Sequence, residues 1–553
     1  METTKTKYIF FTFVNTERIR QGRRLLVILP LFMTVLIALF FIFLGILPKF
    51  HQTILIQNIQ NESPNYSPTF NPDISFASYY DDNMVLQKAP DRSILWGYAK
   101  RPGIEVKIFL DHSLSASVRS YYHWSAKFSM WKAKLPPMKP GGPHTIIVLS
   151  SKVALSLNNV LFGDVWICSG QSNMQFTTNM AFNGTKEGIA SNHYPEIRVF
   201  TVGISSSNVS FDDFVQITEP WSIAAPDKIL GPHWSYFSAI CWMFGRRLYE
   251  MHKHPIGLIS SSVGGTIIQA WSSPDVLKKC QKSENRTEYG NPYNMDSVLW
   301  NAMIHPLLNM TINGIIWYQG ESNHYEPKLY SCLFPAMIKD WRSKFNEGSN
   351  SETSQNFPFG FVQLAPYFTM GNNINWPELR WAQTANIGFV PNTLMPNVFM
   401  AVAMDLPDKS SPYGSIHPRY KEEIASRLLL GLKSLSYKHQ VNPFQGPFPQ
   451  IFLVSGSKIF IKYGTSLDFR NVKNFEISCP HPSYKNCTFQ KWHPAPASLN
   501  TSNTVMILTT GICPHHLICG VRYAWSPVPC HLKNCSLYGK ENLLPGPPFI
   551  RMF

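Results

Sequence analysis

The fold is indicated by one stretch in which an apolar run ends in a turn of small and polar residues. It reads Val160-Leu161-Phe162-Gly163-Asp164-Val165-Trp166-Ile167-Cys168-Ser169-Gly170-Gln171-Ser172-Asn173-Met174. The first part is typical of a strand buried on both faces, and the second part is typical of a loop that follows such a strand.

Further apolar runs follow, and helix-like stretches alternate with them. The runs are Ile256–Ser260, Gly314–Tyr318, Phe359–Leu364 and Val398–Met404, and the helical candidates are Ala239–His252, Leu329–Phe345 and Arg419–Lys433. Alternating strands and helices predict a mostly parallel sheet that is covered by helices on both faces.

Strand-like segments dominate on both sides of this region. Residues 69–157 contain short apolar segments separated by Pro-Gly and Gly-Gly-Pro turns, and strand-like segments dominate again after about residue 440. Six of the ten cysteines fall between Cys479 and Cys535. In an oxidising compartment this spacing predicts disulfides within a C-terminal β-domain, while the pairing of the other four is left open. The predicted class is α/β with β-rich modules at both ends.

The overall composition excludes several classes of protein. Of 553 residues, 44% are hydrophobic and only 15% are charged, which indicates a folded chain. The 42 prolines exclude a long coiled coil. The net charge of +15 permits an acidic partner, but no basic nucleic-acid motif accompanies it, so nucleic acid is not an expected partner.

The N-terminus predicts a membrane anchor. Residues 25–47 form an uncharged, apolar run of 23 residues, which as a helix can cross a hydrocarbon core of about 30 Å. Lysines and arginines precede the run, and only Lys49 follows it closely, so the N-terminus is expected in the cytosol. The rest would face the lumen of the Golgi, endoplasmic reticulum or lysosome, or the cell exterior. A cleaved signal peptide, giving a secreted or lysosomal protein, is the alternative.

The predicted organisation therefore has six segments. They are a cytosolic tail (1–24), a transmembrane signal anchor (25–47), a stalk (48–68), an N-terminal β-domain (69–157), the α/β domain (158–435) and a C-terminal disulfide-containing β-domain (436–553). After the anchor lie nine Asn-x-Ser/Thr acceptors, which predict a glycoprotein: Asn61, Asn65, Asn183, Asn208, Asn285, Asn309, Asn486, Asn500 and Asn534.

Residues able to carry chemistry follow four of the predicted strands. The carboxyl ends of parallel strands share one edge of a sheet, so these residues are expected to lie together. They are Ser172; Gly264 and Gly265; Gln319, Glu321 and Asn323; and Asp405, Asp408 and His417.

This set contains what acyl transfer requires. A serine hydroxyl becomes a nucleophile when an imidazole accepts its proton, a carboxylate can orient the imidazole, and N–H groups can stabilise the oxyanion. Taken singly, Ser172 could be a helix cap, Gly264-Gly265 a tight turn and Glu321 a buried structural acid. The occurrence of all four loops in order on one sheet pattern favours catalysis.

Three motifs resemble those of one enzyme family. Gly163-Asp164-Val165-Trp166-Ile167-Cys168-Ser169-Gly170-Gln171-Ser172-Asn173-Met174-Gln175 resembles the first block of the sialate O-acetylesterase family of SGNH-type serine esterases. Trp317-Tyr318-Gln319-Gly320-Glu321-Ser322-Asn323 looks like its Gln/Asn block. Asp405-Leu406 with Gly414-Ser415-Ile416-His417-Pro418-Arg419 looks like its histidine block. The resemblance runs from about Phe76 to Phe549.

The resemblance implies a flavodoxin-like sheet and hydrolysis of acetyl esters on sialic acids, without metal or cofactor. Ser172 would be the nucleophile and His417 the base. The oxyanion donors would be the Ser172 N–H, an N–H of Gly264 or Gly265, and a side-chain amide of Gln319 or Asn323, with Glu321 in the substrate-binding part.

Two positions depart from the family pattern. Many SGNH enzymes carry an aspartate three residues before the histidine, where this chain has Gly414, so Asp405 is expected to orient His417, with Asp408 as the second choice. Val263 stands where relatives usually carry tryptophan. The alternatives are a catalytically weak sialoglycan-binding paralogue and an acetylesterase for other carbohydrates. The preferred sugar hydroxyl and the oligomeric state are left open.

Overall fold

The computed structural model describes most of the chain beyond the predicted stalk. The described residues are 73–553, except 125–126, 236, 281–290, 369–374, 437–443, 481–486, 488–489 and 514–516. The predicted tail, anchor and stalk lie outside them. Among the helices that are described, none combines the length and the apolar character needed to cross a bilayer.

The N-terminal part consists of short strands that pair mostly antiparallel, while the second pairs in parallel with a later strand. They are β1 (Ile74–Phe76), β2 (Val85–Gln87), β3 (Ile94–Ala99), β4 (Glu105–Leu110), β5 (Ser113–Arg119), β6 (Tyr121–His123), β7 (Phe128–Lys134) and β8 (Gly141–Leu149). Strands β1, β3, β7 and β6 form one sheet in that order, and β4 lies between β5 and β8. The predicted β-rich module is confirmed.

Among the described residues, seven strands form the central path of a larger sheet, which β2, β4, β5 and β8 extend through the first of the seven. The seven are β9 (Ala154–Gly170), β10 (Ile197–Val202), β11 (Ile217–Ile223), β12 (Ile256–Ser262), β13 (Gly314–Tyr318), β14 (Phe359–Gln363) and β15 (Val398–Val402). Their order is β11-β10-β12-β9-β13-β14-β15, and only the β10–β11 pair is antiparallel. Strands β10 and β12 to β15 are buried throughout, because helices cover both faces of a parallel sheet.

Strand β9 joins the N-terminal module to the central sheet. Its first half pairs with β2 and β8 and alternates between exposed and buried residues, whereas its second half is fully buried between β12 and β13. The predicted boundary between residues 157 and 158 therefore falls inside one continuous strand that both modules share.

Eight α-helices flank the sheet or follow its strands. They are α1 (Ser172–Gln175), α2 (Gly184–Ala190), α3 (Pro226–Ile229), α4 (Ala239–His252), α5 (Pro274–Cys280), α6 (Pro327–Gly348), α7 (Trp376–Ala382) and α8 (Lys421–Ser436) among the described residues. Helices α4, α6 and α8 correspond to the three predicted helices. Helix α8 packs against β15 and α4. The loop of residues 408–419, which carries His417 and is called the histidine loop, therefore leads into a well-anchored helix.

The elements described in the C-terminal part are again β-strands. Its strands are β16 (Pro449–Ser455), β17 (Lys458–Tyr463), β18 (Leu467–Phe469), β19 (Phe475–Pro480), β20 (Gln490–Pro494), β21 (Ala497–Thr501), β22 (Thr504–Leu508), β23 (Gly520–Tyr523), β24 (Leu537–Gly539) and β25 (Phe549–Met552). Its six cysteines pair with one another as predicted, as Cys479–Cys513, Cys487–Cys519 and Cys530–Cys535.

The other four cysteines form two bridges in the α/β region. Cys168, near the end of β9, is bonded to Cys241 in α4, and Cys280 is bonded to Cys332 in α6. The first bridge ties the strand that carries the nucleophile turn directly to a covering helix.

Replacing both cysteines of a bridge by alanine should destabilise the protein more when the bridge closes a longer loop. Cys168 and Cys241 are 73 positions apart, whereas Cys530 and Cys535 are 5 apart. From loop-closure entropy, we expect the free energy of unfolding to fall by about 4 kcal/mol for the first double variant and about 2 kcal/mol for the second. Denaturant titration of the non-reduced full-length protein measures both. Equal losses would contradict this account.

Candidate active site

The nucleophile turn (residues 170–172) begins at the last residue of β9, beside the main chain of β13. Gly170 ends β9 with a φ of +142°, and a Cβ there would lie 2.1 Å from the carbonyl oxygen of Tyr318. Only glycine fits this close backbone approach. The chain then turns at once into α1, whose first residue is Ser172.

Ser172 and His417 meet although they are 245 positions apart in the sequence. The distance between Ser172 Oγ and His417 Nε2 is 2.9 Å. The other ring nitrogen, Nδ1, lies 2.6 Å from the carbonyl oxygen of Tyr413. A carbonyl oxygen only accepts hydrogen bonds, so Nδ1 carries the proton and the lone pair of Nε2 faces the serine hydroxyl. This is the tautomer that a general base requires.

His417 is held in its neutral form. Burial lowers the pKa of the imidazole to about 4, and the positive charge of Lys421 acts in the same direction, while the hydrogen bond to Tyr413 opposes the shift. The Trp234 indole also makes an edge-to-face contact with the imidazole, with ring centroids 5.1 Å apart. At neutral pH the base is therefore free to accept a proton from Ser172.

The glycine turn lies beside the nucleophile. A Cβ on Gly264 would approach the Ser172 Cβ to 3.3 Å, and Gly265 has a φ of +72°. The Gly264 N–H donates to Oε1 of Gln175 at 2.7 Å. As the first residue of α1, Ser172 has an N–H with no acceptor within its own helix. The Ser172 N–H is therefore placed beside the oxyanion that forms on the substrate's carbonyl oxygen when Ser172 Oγ attacks, whereas the Gly264 N–H is already bonded to Gln175.

The predicted amide donors are not at this position. Gln319 Nε2 donates to Asn323 Oδ1 at 2.8 Å and to the Thr266 carbonyl at 3.0 Å, and Asn323 Nδ2 donates to Gln269 at 2.9 Å. Both side chains are buried. The expectation that Gln319 or Asn323 supplies an oxyanion donor is thus not met, because their amides hold neighbouring loops together.

Asp405 is not the carboxylate that orients His417. It is fully buried and bonded to Arg427 through both oxygens, at 2.6 and 3.0 Å, and it accepts a hydrogen bond from the Tyr538 hydroxyl at 3.1 Å. The prediction was wrong because the side chain points toward α8 and the C-terminal module rather than toward the imidazole.

Asp408, the second candidate for the carboxylate that orients His417, is also not bonded to the imidazole. It forms a two-pronged ion pair with Arg419, at 2.7 and 2.9 Å, which clamps the two ends of the histidine loop. Within that loop, the His417 N–H donates to the carbonyl oxygen of Gly414, whose φ is +85°. The position where many relatives carry aspartate thus has a left-handed backbone that favours glycine.

A cleft of about 610 Å³ is lined by the other site residues that the sequence predicted. Its lining includes Ser172, His417, Gly264, Gly265 and Glu321.

Other lining residues were missed by the sequence analysis. Gln175 and Trp234 lie in the lining, and the main-chain carbonyl of Tyr413 orients the base. A signal existed only for Gln175, which lies three residues after Ser172 on the same short helix.

These contacts define the class of protein. A neutral imidazole within hydrogen-bond distance of a serine hydroxyl is the arrangement that forms an acyl-enzyme. The parallel sheet, with both groups beyond its strand ends, makes this chain an α/β serine hydrolase.

Comparison with known proteins agrees with this class. The family model described as "Carbohydrate esterase, sialic acid-specific acetylesterase" matches residues 162–419, and the "Sialate O-acetylesterase C-terminal domain" matches 451–553. Sialate O-acetylesterase of Mus musculus is 41% identical over 514 residues, covering 86% of this chain and 94% of that protein. The Homo sapiens enzyme is 42% identical over 489 residues, covering 86% and 92%.

A solved structure shows the same architecture. A carbohydrate acetylesterase from Xanthomonas citri aligns with a TM-score of 0.71 at 26% identity, covering 86% of this chain and 99% of that one. The chain therefore belongs to the sialate O-acetylesterase family, as its three motifs predicted.

The low pKa of His417 predicts that its ring stays neutral well into the acid range. We expect the ring C–H signals of His417, followed by NMR, to change little between pH 7 and pH 5 and to shift with a midpoint near pH 4, the pKa of His417. A histidine with the ordinary pKa of about 6.5 would retain only about 3% of its neutral form at pH 5. Tryptophan fluorescence over the same range verifies that the protein stays folded. A midpoint near pH 6.5 would refute the assignment.

Proposed function

We infer that this protein is a serine esterase that removes O-acetyl groups from sialic acids on glycans. The observation that carries the inference is the 2.9 Å contact between Ser172 Oγ and the unprotonated Nε2 of His417. Membership of the sialate O-acetylesterase family supports the substrate class.

The reaction proceeds through an acetyl-enzyme. His417 Nε2 accepts the Ser172 hydroxyl proton while Oγ attacks the acetyl carbonyl carbon. The oxyanion on the former carbonyl oxygen accepts hydrogen bonds from the Ser172 N–H and the Gly265 N–H. The bond to the sugar oxygen breaks, and this oxygen takes the proton from His417. A water molecule then gives a proton to His417 and attacks the acetyl carbon. The bond from Ser172 Oγ to this carbon breaks, and Oγ takes the proton from His417, which releases acetate and restores the serine hydroxyl.

The lining of the cleft suits a sugar. The aromatic side chains of Trp234, Tyr325 and Tyr367 line it, and such rings pack against the apolar faces of sugars. The described residues that line the cleft include no lysine or arginine to pair with a sialic acid carboxylate. This observation favours, as a second candidate, hydrolysis of acetyl esters on neutral sugars.

Replacing Ser172 by alanine tests the proposed chemistry. We expect the Ser172→Ala variant to lose roughly 10³-fold or more of kcat on an O-acetylated sialoside, because within the described part of the chain the hydroxyl bonded to His417 Nε2 is that of Ser172. Ser331→Ala, on helix α6 outside the cleft, is the matched control and should retain full activity. Mass spectrometry should detect an acetyl group on Ser172 during turnover of the wild-type protein.

The same assay separates the two candidate substrate classes. Initial rates are compared for an O-acetylated sialoside and for a neutral sugar acetylated at an equivalent primary hydroxyl. Higher kcat/KM for the sialoside supports the first candidate, and higher kcat/KM for the neutral sugar supports the second. Equal low rates for wild type and Ser172→Ala on both substrates would instead favour a binding protein.

We propose, in addition, that the enzyme is a membrane protein anchored by residues 25–47, with its catalytic part in a lumen or outside the cell. The apolar run and the positive residues before it support this orientation. The five disulfides and the Asn-x-Ser/Thr acceptors are in keeping with an oxidising, glycosylating compartment.

Membrane extraction tests the anchor. We expect the full-length protein to remain in the membrane pellet after extraction at alkaline pH. An N-terminal tag should be retained, and a glycosidase should remove the protein's glycans. Leu36→Arg combined with Leu39→Arg should prevent insertion, because each arginine near the middle of the run costs about 2.5–3.5 kcal/mol. Recovery of the wild-type chain in the soluble fraction without its tag would favour a cleaved signal peptide.

A further inference from the structure

A lysine without exposed surface lies against the nucleophile turn. Lys421 is the first residue of α8, and its relative exposure is 0%. Its ammonium group donates to Oδ1 of Asn173 at 2.6 Å and lies 4.4 Å from the centre of the Phe176 ring. A buried ammonium group is stable only when it is compensated by hydrogen bonds and an opposite charge.

Asn173 connects this lysine to a buried carboxylate. Its Nδ2 donates to Glu321 Oε1 at 2.6 Å and to the main-chain carbonyl of Ile416 at 2.9 Å. The amide thus presents its oxygen to the ammonium and its NH₂ group to the carboxylate. This arrangement fixes the orientation of the Asn173 amide, because the opposite orientation would place like partial charges in contact at both ends.

The two ionisable groups depend on each other. Burial lowers the pKa of Lys421 to about 7, and the negative charge of Glu321 opposes this shift. Burial likewise raises the pKa of Glu321 to about 7, and the positive charge of Lys421 opposes it. Removing one charge therefore leaves the other uncompensated in a region with little water.

The Asn173 amide links the two segments that carry the reacting residues. Asn173 directly follows Ser172, and Ile416 directly precedes His417. One amide side chain thus links the turn that carries the hydroxyl to the loop that carries the imidazole. His417 itself is bonded to the Tyr413 carbonyl, while Asp405 and Asp408 pair with arginines.

We propose that Lys421, Asn173 and Glu321 act as one positioning unit, which holds Ser172 and His417 at reactive distance in place of a carboxylate bonded to the imidazole. The inference rests on the proposed esterase function. Lys421 and Asn173 act through the main chain next to the reacting groups, so their loss is expected to slow the chemical step more than it weakens substrate binding.

A double-mutant cycle on the full-length protein tests the unit. Lys421→Met and Glu321→Gln keep the side-chain size and remove one charge each. With 4-nitrophenyl acetate as substrate, we expect each single variant to lower kcat about 10- to 100-fold, as for a small misplacement of reacting groups, with KM changed less than about three-fold. The double variant should lose no more than the worse single variant, because it leaves no unpaired charge.

Labelling of Ser172 by a fluorophosphonate provides a second measurement, since its rate reports the reactivity of the serine without sugar binding. In the single variants, the labelling rate should fall by the same factor as kcat. Lys433→Met, at an exposed position on the same helix, is the matched control and should leave both rates unchanged. Should Lys421→Met fail to fold, Asn173→Ala replaces it in the same assays, because it breaks the same link.

The outcomes distinguish the failure of this inference from that of the function. Three results would overturn the positioning unit and leave the esterase function standing. The losses of the two single variants could multiply in the double variant, the single variants could keep full kcat, or the losses could be confined to KM. A wild-type protein that neither hydrolyses the ester nor reacts with the fluorophosphonate would overturn both.

Discussion

The parallel pairing of β9 with β12 on one side and β13 on the other is the constraint on which the site depends. Gly170, the last residue of β9, lies opposite Ser262 and Tyr318, so the three strands end at the same level. The nucleophile turn, the glycine turn and the Gln319–Asn323 segment therefore start from one edge. This register requires glycine at position 170, since a Cβ there would collide with the main chain of β13.

The histidine reaches the same edge from further along the chain, and ion pairs at the base of its loop hold it there. Asp408 and Arg419 bracket the loop, and Asp405 joins Arg427 of α8 to Tyr538 of the C-terminal module. Both aspartates thus support the loop rather than the imidazole. Because the ring is oriented by a neutral carbonyl and buried, His417 remains an uncharged base at neutral pH.

The sequence predicted the strands well because parallel strands are buried on both faces and so form short, unbroken apolar runs. Gly314–Tyr318 has the same limits in prediction and structure, and β9 differs mainly by its extension to Ala154 into the N-terminal module. Ser172, His417 and the two glycines were found because each lies in a motif that follows such a strand. Trp234 was missed because its loop shows no periodicity or motif.

The errors concern the direction of side chains. Asp405 does follow the end of β15, but its direction is set by Arg427, which comes 22 positions later. The amides of Gln319 and Asn323 turn inward because the carbonyl of Thr266 and the side chain of Gln269 satisfy them there.

The sequence alone determined the order of strands and helices, the family motifs and the identity of the nucleophile and base. These features depend on local patterns of burial and on residue type. Which partner each polar side chain adopts was decided only by the tertiary structure. A buried donor or acceptor bonds to whatever group packing brings within about 3 Å, and that group is often hundreds of residues away.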